Sequence, residues 1–110
     1  MEQVTHEAKL PSGRTITMRE ISGEQELSAA IEAGDDTGTP RGRAAFNLGC
    51  ILRSIVAIDG QALDPVTTGE ALRTKFRSKD WRCIQMMFDE IHFPSGDEVS
   101  SFRSSVRIGG

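Results

Sequence analysis

The sequence predicts an α+β domain: an N-terminal β-hairpin followed by about five short helices, forming one compact domain over residues 1–110. Three observations carry that prediction. Apolar and polar residues alternate over the first twenty positions, the period of a strand with one buried face. From Ser22 onward the apolar spacing changes to three and four, the period of a helix. Motifs of the form S/T-x-x-E/Q, in which Ser22 leads to Gln25, Thr67 to Glu70 and Ser95 to Glu98, mark helix starts. A length of 110 residues fits a single domain, and 37% apolar with 26% charged residues is an ordinary globular composition.

The hairpin occupies residues 1–21. Val4, His6, Ala8 and Leu10 alternate with polar neighbours, Pro11-Ser12-Gly13-Arg14 supplies a turn, and Ile16 and Met18 alternate with Thr15, Thr17 and Arg19. The first helix spans 22–34. Ser22 caps it, Glu24 and Glu26 suit the positive end of its dipole, Leu27, Ala30 and Ile31 form its apolar face, and Gly34 ends it. Residues 35–43 (DDTGTPRGR) contain no large apolar side chain and predict a mobile loop.

Residues 44–107 predict a helical body. A central helix runs from Ala44 to Val56 on the pattern Leu48, Ile51, Leu52, Ile55, with Phe46 and Cys50 widening its face. Ile58-Asp59-Gly60-Gln61 reads as a tight turn, and Pro65 disfavours helix nearby. Thr67 opens a helix carrying Leu72 and Phe76. Ser78 opens another with the stripe Trp81, Ile84, Met87, Phe88 and Ile91, which stops before Pro94. The last helix carries Val99, Phe102 and Val106, and residues 107–110 are expected to fray.

Charge is segregated. Residues 1–40 hold three basic and eight acidic side chains, residues 41–82 eight basic and four acidic, and residues 83–110 two basic and four acidic. Such segregation suits complementary contacts within the fold or between subunits. No apolar run reaches the roughly 18 residues of a membrane span, and residues 1–10 hold no signal-like apolar stretch. A cytoplasmic protein with no membrane partner is therefore expected, its two cysteines, Cys50 and Cys83, reduced and structural.

The catalytic inventory is poor. Tyrosine is absent and there are two histidines, His6 and His92. Cys83 and His92 lie nine residues apart, which places them on opposite sides of one helix. The acidic pairs Asp35-Asp36 and Asp89-Glu90 are neighbours in sequence and not convergent groups, and no phosphate loop or metal spacing is present. The expectation is a non-enzymatic protein with no cofactor, no metal and no small-molecule substrate. The stretch Arg73, Lys75, Arg77, Lys79, Arg82 could meet phosphates, but Glu70 and Asp80 dilute it and only Trp81 could stack a base. Nucleic acid is thus a remote alternative through the 73–82 face. A second remote alternative is a ubiquitin-like modifier, since Arg107-Ile108-Gly109-Gly110 resembles a diglycine tail.

The string LPSGRTITMREISGEQEL (10–27) resembles the opening of small tail-morphogenesis proteins of tailed bacteriophages, in which such a hairpin leads into a helix. LRSIVAIDG (52–60) resembles that group's central helix and following turn. FRSKDW (76–81) and FDEIHFP (88–94) resemble its C-terminal part, a helix, a short break and a final helix. The group includes tail assembly chaperones and small baseplate proteins of contractile tails. The resemblance implies a structural baseplate protein or assembly factor whose partners are other tail or baseplate proteins. It would be present in several copies per assembly, acting in the host cytoplasm and in the virion. The alternative within the group is a chaperone absent from the finished particle. Arginine and tryptophan are the residues most often found at contact hot spots, and an exposed hairpin edge can extend a neighbour's sheet. The expected partner-binding residues are therefore Arg41, Arg43, Arg73, Arg77 and Trp81, with His6, Lys9 and Arg14 on the hairpin edge.

Overall fold

β1 (Thr5–Lys9) and β2 (Thr15–Arg19) form the hairpin that the alternation predicts. On β2 only Ile16 and Met18 are fully buried, and the intervening residues are not. The turn closes with the Leu10 N–H donating to the Arg14 carbonyl and the Gly13 N–H to the Leu10 carbonyl, both at 2.8 Å. Gly13 has φ 92°, a conformation that glycine adopts without a Cβ clash. The computed structural model describes residues 4–34 and 38–106.

The hairpin is half of a larger sheet. β3 (Ile55–Ile58) pairs antiparallel with β2, and β4 (Gln61–Ala62) with β3, in the order β1-β2-β3-β4. This corrects the expected helical body over 44–107. The central helix stops at Ser54, not Val56, and the chain enters the sheet directly. Ile55-Val56-Ala57-Ile58 is β-branched at three of its four positions and pairs with the edge of β2 that β1 leaves open. The tight turn at Asp59-Gly60 is where it was expected, and it joins β3 to β4. Both residues have positive φ, 52° and 79°, as a two-residue hairpin loop demands.

α1 (Gly23–Ala33) has the predicted Ser22 cap, Gln25 partner and Gly34 stop. Its buried residue, however, is Ala29. Leu27 and Ile31, expected on the core face, are exposed at 62% and 71%. The neighbour explains the reversal. α1 packs on α2 (Pro40–Ser54) where Ala29 meets Gly49, and a Cβ added to Gly49 would lie 3.3 Å from the Ala29 Cβ. Small residues set that contact, so the larger ones turn outward. Arg53 then bridges α2 to Glu32 of α1 at 2.8 Å. α2 begins four residues earlier than Ala44, with Thr39 as its cap. The expected loop 35–43 is therefore shortened by a helical turn, and residues 35–37 lie outside the described residues. Pro40 is a start signal here, because the first helical residue has no N–H bond to lose.

The same logic corrects α3 (Pro65–Lys75). Asp64, not Thr67, caps it, accepting the Thr67 N–H at 2.7 Å, and Pro65 is its first residue. α4 (Ser78–His92) has Arg77 and not Ser78 at its cap position. Ile84 of α4 is fully buried against Leu10, Ile16, Met18, Ile51, Ile55 and Ile58.

α4 is fastened near both ends. Close to its start, buried Asp80 accepts the Ser12 N–H of the hairpin turn at 3.0 Å and the Arg77 N–H at 2.9 Å. At its last residue, His92 Nε2 accepts the Ile21 N–H at 3.0 Å while Nδ1–H donates to the Phe88 carbonyl at 2.8 Å. That pair of bonds selects the neutral ring with its proton on Nδ1. The Phe88 ring stacks on it at 4.0 Å.

α5 (Gly96–Ser105) has its Ser95–Glu98 capping box but buries no residue. The radius of gyration is 15.9 Å and the longest extent 56 Å. A compact chain of this length would give about 13 Å. The expected fraying of residues 107–110, and the diglycine, lie outside the described residues.

Candidate functional site

α2, α3 and the start of α4 leave a groove of about 610 Å³ between them. Leu52, Leu72, Phe76 and Trp81 form its floor, and Leu48 and Val66 stand at its sides. Leu48 is 41% and Val66 85% exposed, so the groove presents apolar surface to solvent. Glu70, Arg73 and Arg77 form a polar rim, in which Arg73 donates to Glu70 at 2.8 Å. Gly69 faces Leu52 across the groove, where a Cβ would sit 3.7 Å from the nearest Leu52 methyl, an ordinary contact.

Three of the eight expected contact residues converge here: Arg73, Arg77 and Trp81. Trp81 is half-buried, with its ring packed on the core as well as lining the groove. His6 and Lys9 meet at a second, smaller groove of about 490 Å³ between β1 and α4, with Met86, Met87 and Cys83 opposite. β1 is the edge strand of the sheet, so its outer backbone groups are unpaired within the sheet. Arg14 is placed differently from expectation. Its guanidinium donates to Asp59 Oδ2 at 3.1 Å, which ties it to the β3–β4 turn. Arg41 and Arg43 are exposed on the first turn of α2, not in a loop, and line neither groove.

The sequence reading missed four residues. Leu48 counted as core, yet it borders the groove because α2 is covered on that side by α3 only in part. Val66 follows Pro65 and carried no periodic signal. Met86 falls off the α4 stripe and is 65% exposed at the second groove. Asp80 read as a diluting charge, but it sits at the third helical residue of α4, the position from which a carboxylate reaches back to the cap N–H. That spacing was the available signal.

Electrostatics add little that is reactive. The Asp80 carboxyl is held below its ordinary value chiefly by the Arg77 N–H, with Ser12 helping against desolvation. Asp64 and Glu98 are lowered the same way by the Thr67 and Ser95 N–H groups they cap. Burial pushes the Cys50 thiol up, Glu26 adds to this and Arg53 partly offsets it, so Cys50 is a poor nucleophile. Among the described residues no cluster of three or more His, Cys, Asp or Glu could hold a metal ion, and no helix is long and apolar enough to cross a membrane. An apolar floor with a cationic rim is suited to receive an amphipathic helix flanked by acidic residues. The chain matches no family model, no curated protein and no solved structure.

Proposed function

We propose that this chain is a non-enzymatic protein-interaction component of a contractile bacteriophage tail, a small baseplate protein or assembly factor, and that it docks through the groove between α2, α3 and α4. One observation carries the docking part. Arg73, Arg77 and Trp81, chosen from sequence for their residue type alone, fall on one open apolar groove. Large exposed apolar patches with polar rims are typical of association surfaces. The resemblance of residues 10–27, 52–60, 76–81 and 88–94 to tail-morphogenesis proteins supplies the setting.

The test is density-gradient fractionation from the native source, with quantitative mass spectrometry of each fraction. A baseplate protein co-sediments with the particle at fixed ratio to tail proteins. A chaperone stays in light fractions with one long partner. The Val66→Glu variant, altered at a side chain 85% exposed, keeps its fold and loses either partner. Recovery with nucleic acid or as a conjugate through Gly110, and with no tail protein, would sink the proposal.

A further inference from the structure

We infer that the groove receives α5 of a second copy of this chain. This deepens the docking reading above and rests on the groove being a docking surface. Four observations lead to it. First, α5 is ten residues long and buries none of them. A helix shorter than about 12–15 residues is marginal in water without tertiary support. Second, α5 and its C-terminal cap offer apolar side chains to a groove: Val99, half-buried, Phe102, 67% exposed, and Val106, just past the last helical residue and 50% exposed. Third, the charges match. Asp97 stands in the first turn of α5 beside Glu98, which caps Ser95, and Arg77 stands on the groove rim beside Arg73, which Glu70 holds.

Fourth, the contact is not made within one copy, since α5 buries no residue and no ion pair among the described residues joins it to the groove. Arg77 and Trp81 lie at the start of α4 and α5 leaves from its end. The 15 residues of α4 separate the two by about 20 Å at 1.5 Å per residue. The link, residues 93–95, spans about 10 Å when fully extended. Among the described residues Asp97 and Arg77 form no ion pair within one copy, so the acidic turn and the basic rim are both open to a second copy. Because α5 and the groove are different surfaces, the contact is heterologous. It closes into a reciprocal dimer or propagates head to tail.

The experiment uses full-length chains and light scattering after size exclusion, from micromolar to submillimolar protein. Wild type is expected to exceed its 12.0 kDa monomer mass in a concentration-dependent way. Phe102→Glu removes the helix anchor and Val66→Glu blocks the groove, and each alone is expected to be monomeric, with the circular dichroism of dilute, monomeric wild type. Mixed together they restore a one-to-one dimer, because each supplies what the other lacks. Arg77→Glu abolishes self-association, and Asp97→Arg in the same chain returns it.

Monomeric wild type throughout that range overturns the inference, as does persistence of the oligomer in both single variants. Particle co-sedimentation reports on the tail reading separately. If Val66→Glu loses the particle while wild type is monomeric, docking stands and the second-copy occupant falls. If the mixture dimerises but no tail protein co-sediments, the reverse holds.

Discussion

Asp59 offers a graded test of how the sheet is held to its turn. It sits at φ 52°, where an L side chain other than Asn or Asp is costly. Its Oδ1 accepts the Thr15 N–H at 2.9 Å, its Oδ2 accepts from Arg14 at 3.1 Å, and its own N–H donates to the Thr15 carbonyl at 2.7 Å. Asp59→Ala loses the tolerated backbone conformation, at about 1 kcal/mol. It also loses the bond to the Thr15 N–H, worth about 1 kcal/mol. The partly exposed ion pair with Arg14 contributes a further ~0.5 kcal/mol. The total is about 2–3 kcal/mol, or roughly 8–12 °C in a domain this size. Asp59→Gly keeps the backbone and loses about half of that. Asp59→Asn keeps the backbone and one acceptor and loses only the ion pair, about 0.5 kcal/mol. Urea unfolding at neutral pH reads the order. Arg14→Ala should match Asp59→Asn, and the double variant should cost no more than either alone. An Asp59→Ala chain within ~0.5 kcal/mol of wild type, or Gly no better than Ala, would refute this account. An Arg14→Ala chain of unchanged stability that no longer joins the particle would return Arg14 to the contact role expected from sequence.

Gly69→Ala should stabilise the fold by about 0.5–1 kcal/mol, because α3 gains helix propensity and the new methyl meets Leu52 at ordinary contact distance; the urea midpoint rises if so. Ile84→Ala should cost about 2–5 kcal/mol, since its side chain is fully buried at the centre of the core, whereas Phe102→Ala should stay within ~0.5 kcal/mol in the monomer; equal losses would contradict the idea that α5 adds no support. Acid should weaken the fold. The Asp80 carboxyl is depressed when folded, so its contribution is complete above the unfolded value of about 3.9 and fades as pH falls through the lower folded value. Asp80→Asn should be less stable at neutral pH, because an amide offers one acceptor to two N–H donors, and its unfolding midpoint should fall less steeply between pH 5 and pH 2, about the carboxylate range. An unchanged acid limb would assign acid sensitivity to other carboxylates.

Local chemistry was legible in the sequence where it is self-contained. The Ser22, Ser95 and Gly34 signals gave helix ends because capping bonds are made within a few residues. The alternation around Ile16 and Met18 gave the hairpin for the same reason. What failed depends on a distant neighbour. Ile55–Ile58 became a strand because β2 lies alongside it, some forty residues earlier in the chain. Leu27 and Ile31 turned outward because Gly49 admits only Ala29. At the site, residue type pointed to Arg73, Arg77 and Trp81, but Leu48 and Val66 join them only once α3 has packed on α2. The pairing of Arg14 with Asp59 could not be read from the sequence because sheet register sets it.

The two sides of the proposed contact differ in how far they are organised before they meet. Trp81 and Arg77 sit at the start of a helix fastened by Asp80 to the hairpin and by His92 to Ile21, so the groove keeps its shape without an occupant. α5 has no such support, and its sequence includes four serines, at 100, 101, 104 and 105, which are weaker helix formers than alanine. The ordering cost of association therefore falls on α5. Ser100 and Ser104 lie on the side of the helix away from Val99, Phe102 and Val106, so changing them alters no anchor. Ser100→Ala with Ser104→Ala should improve helix formation by about 1 kcal/mol and tighten self-association roughly fivefold. The sedimentation equilibrium constant measures this, with Phe102→Glu in the same background as the control that remains monomeric. Equal affinity with and without the two alanines would mean that α5 is already ordered before contact, and that its bare apolar face is held by something other than the partner groove.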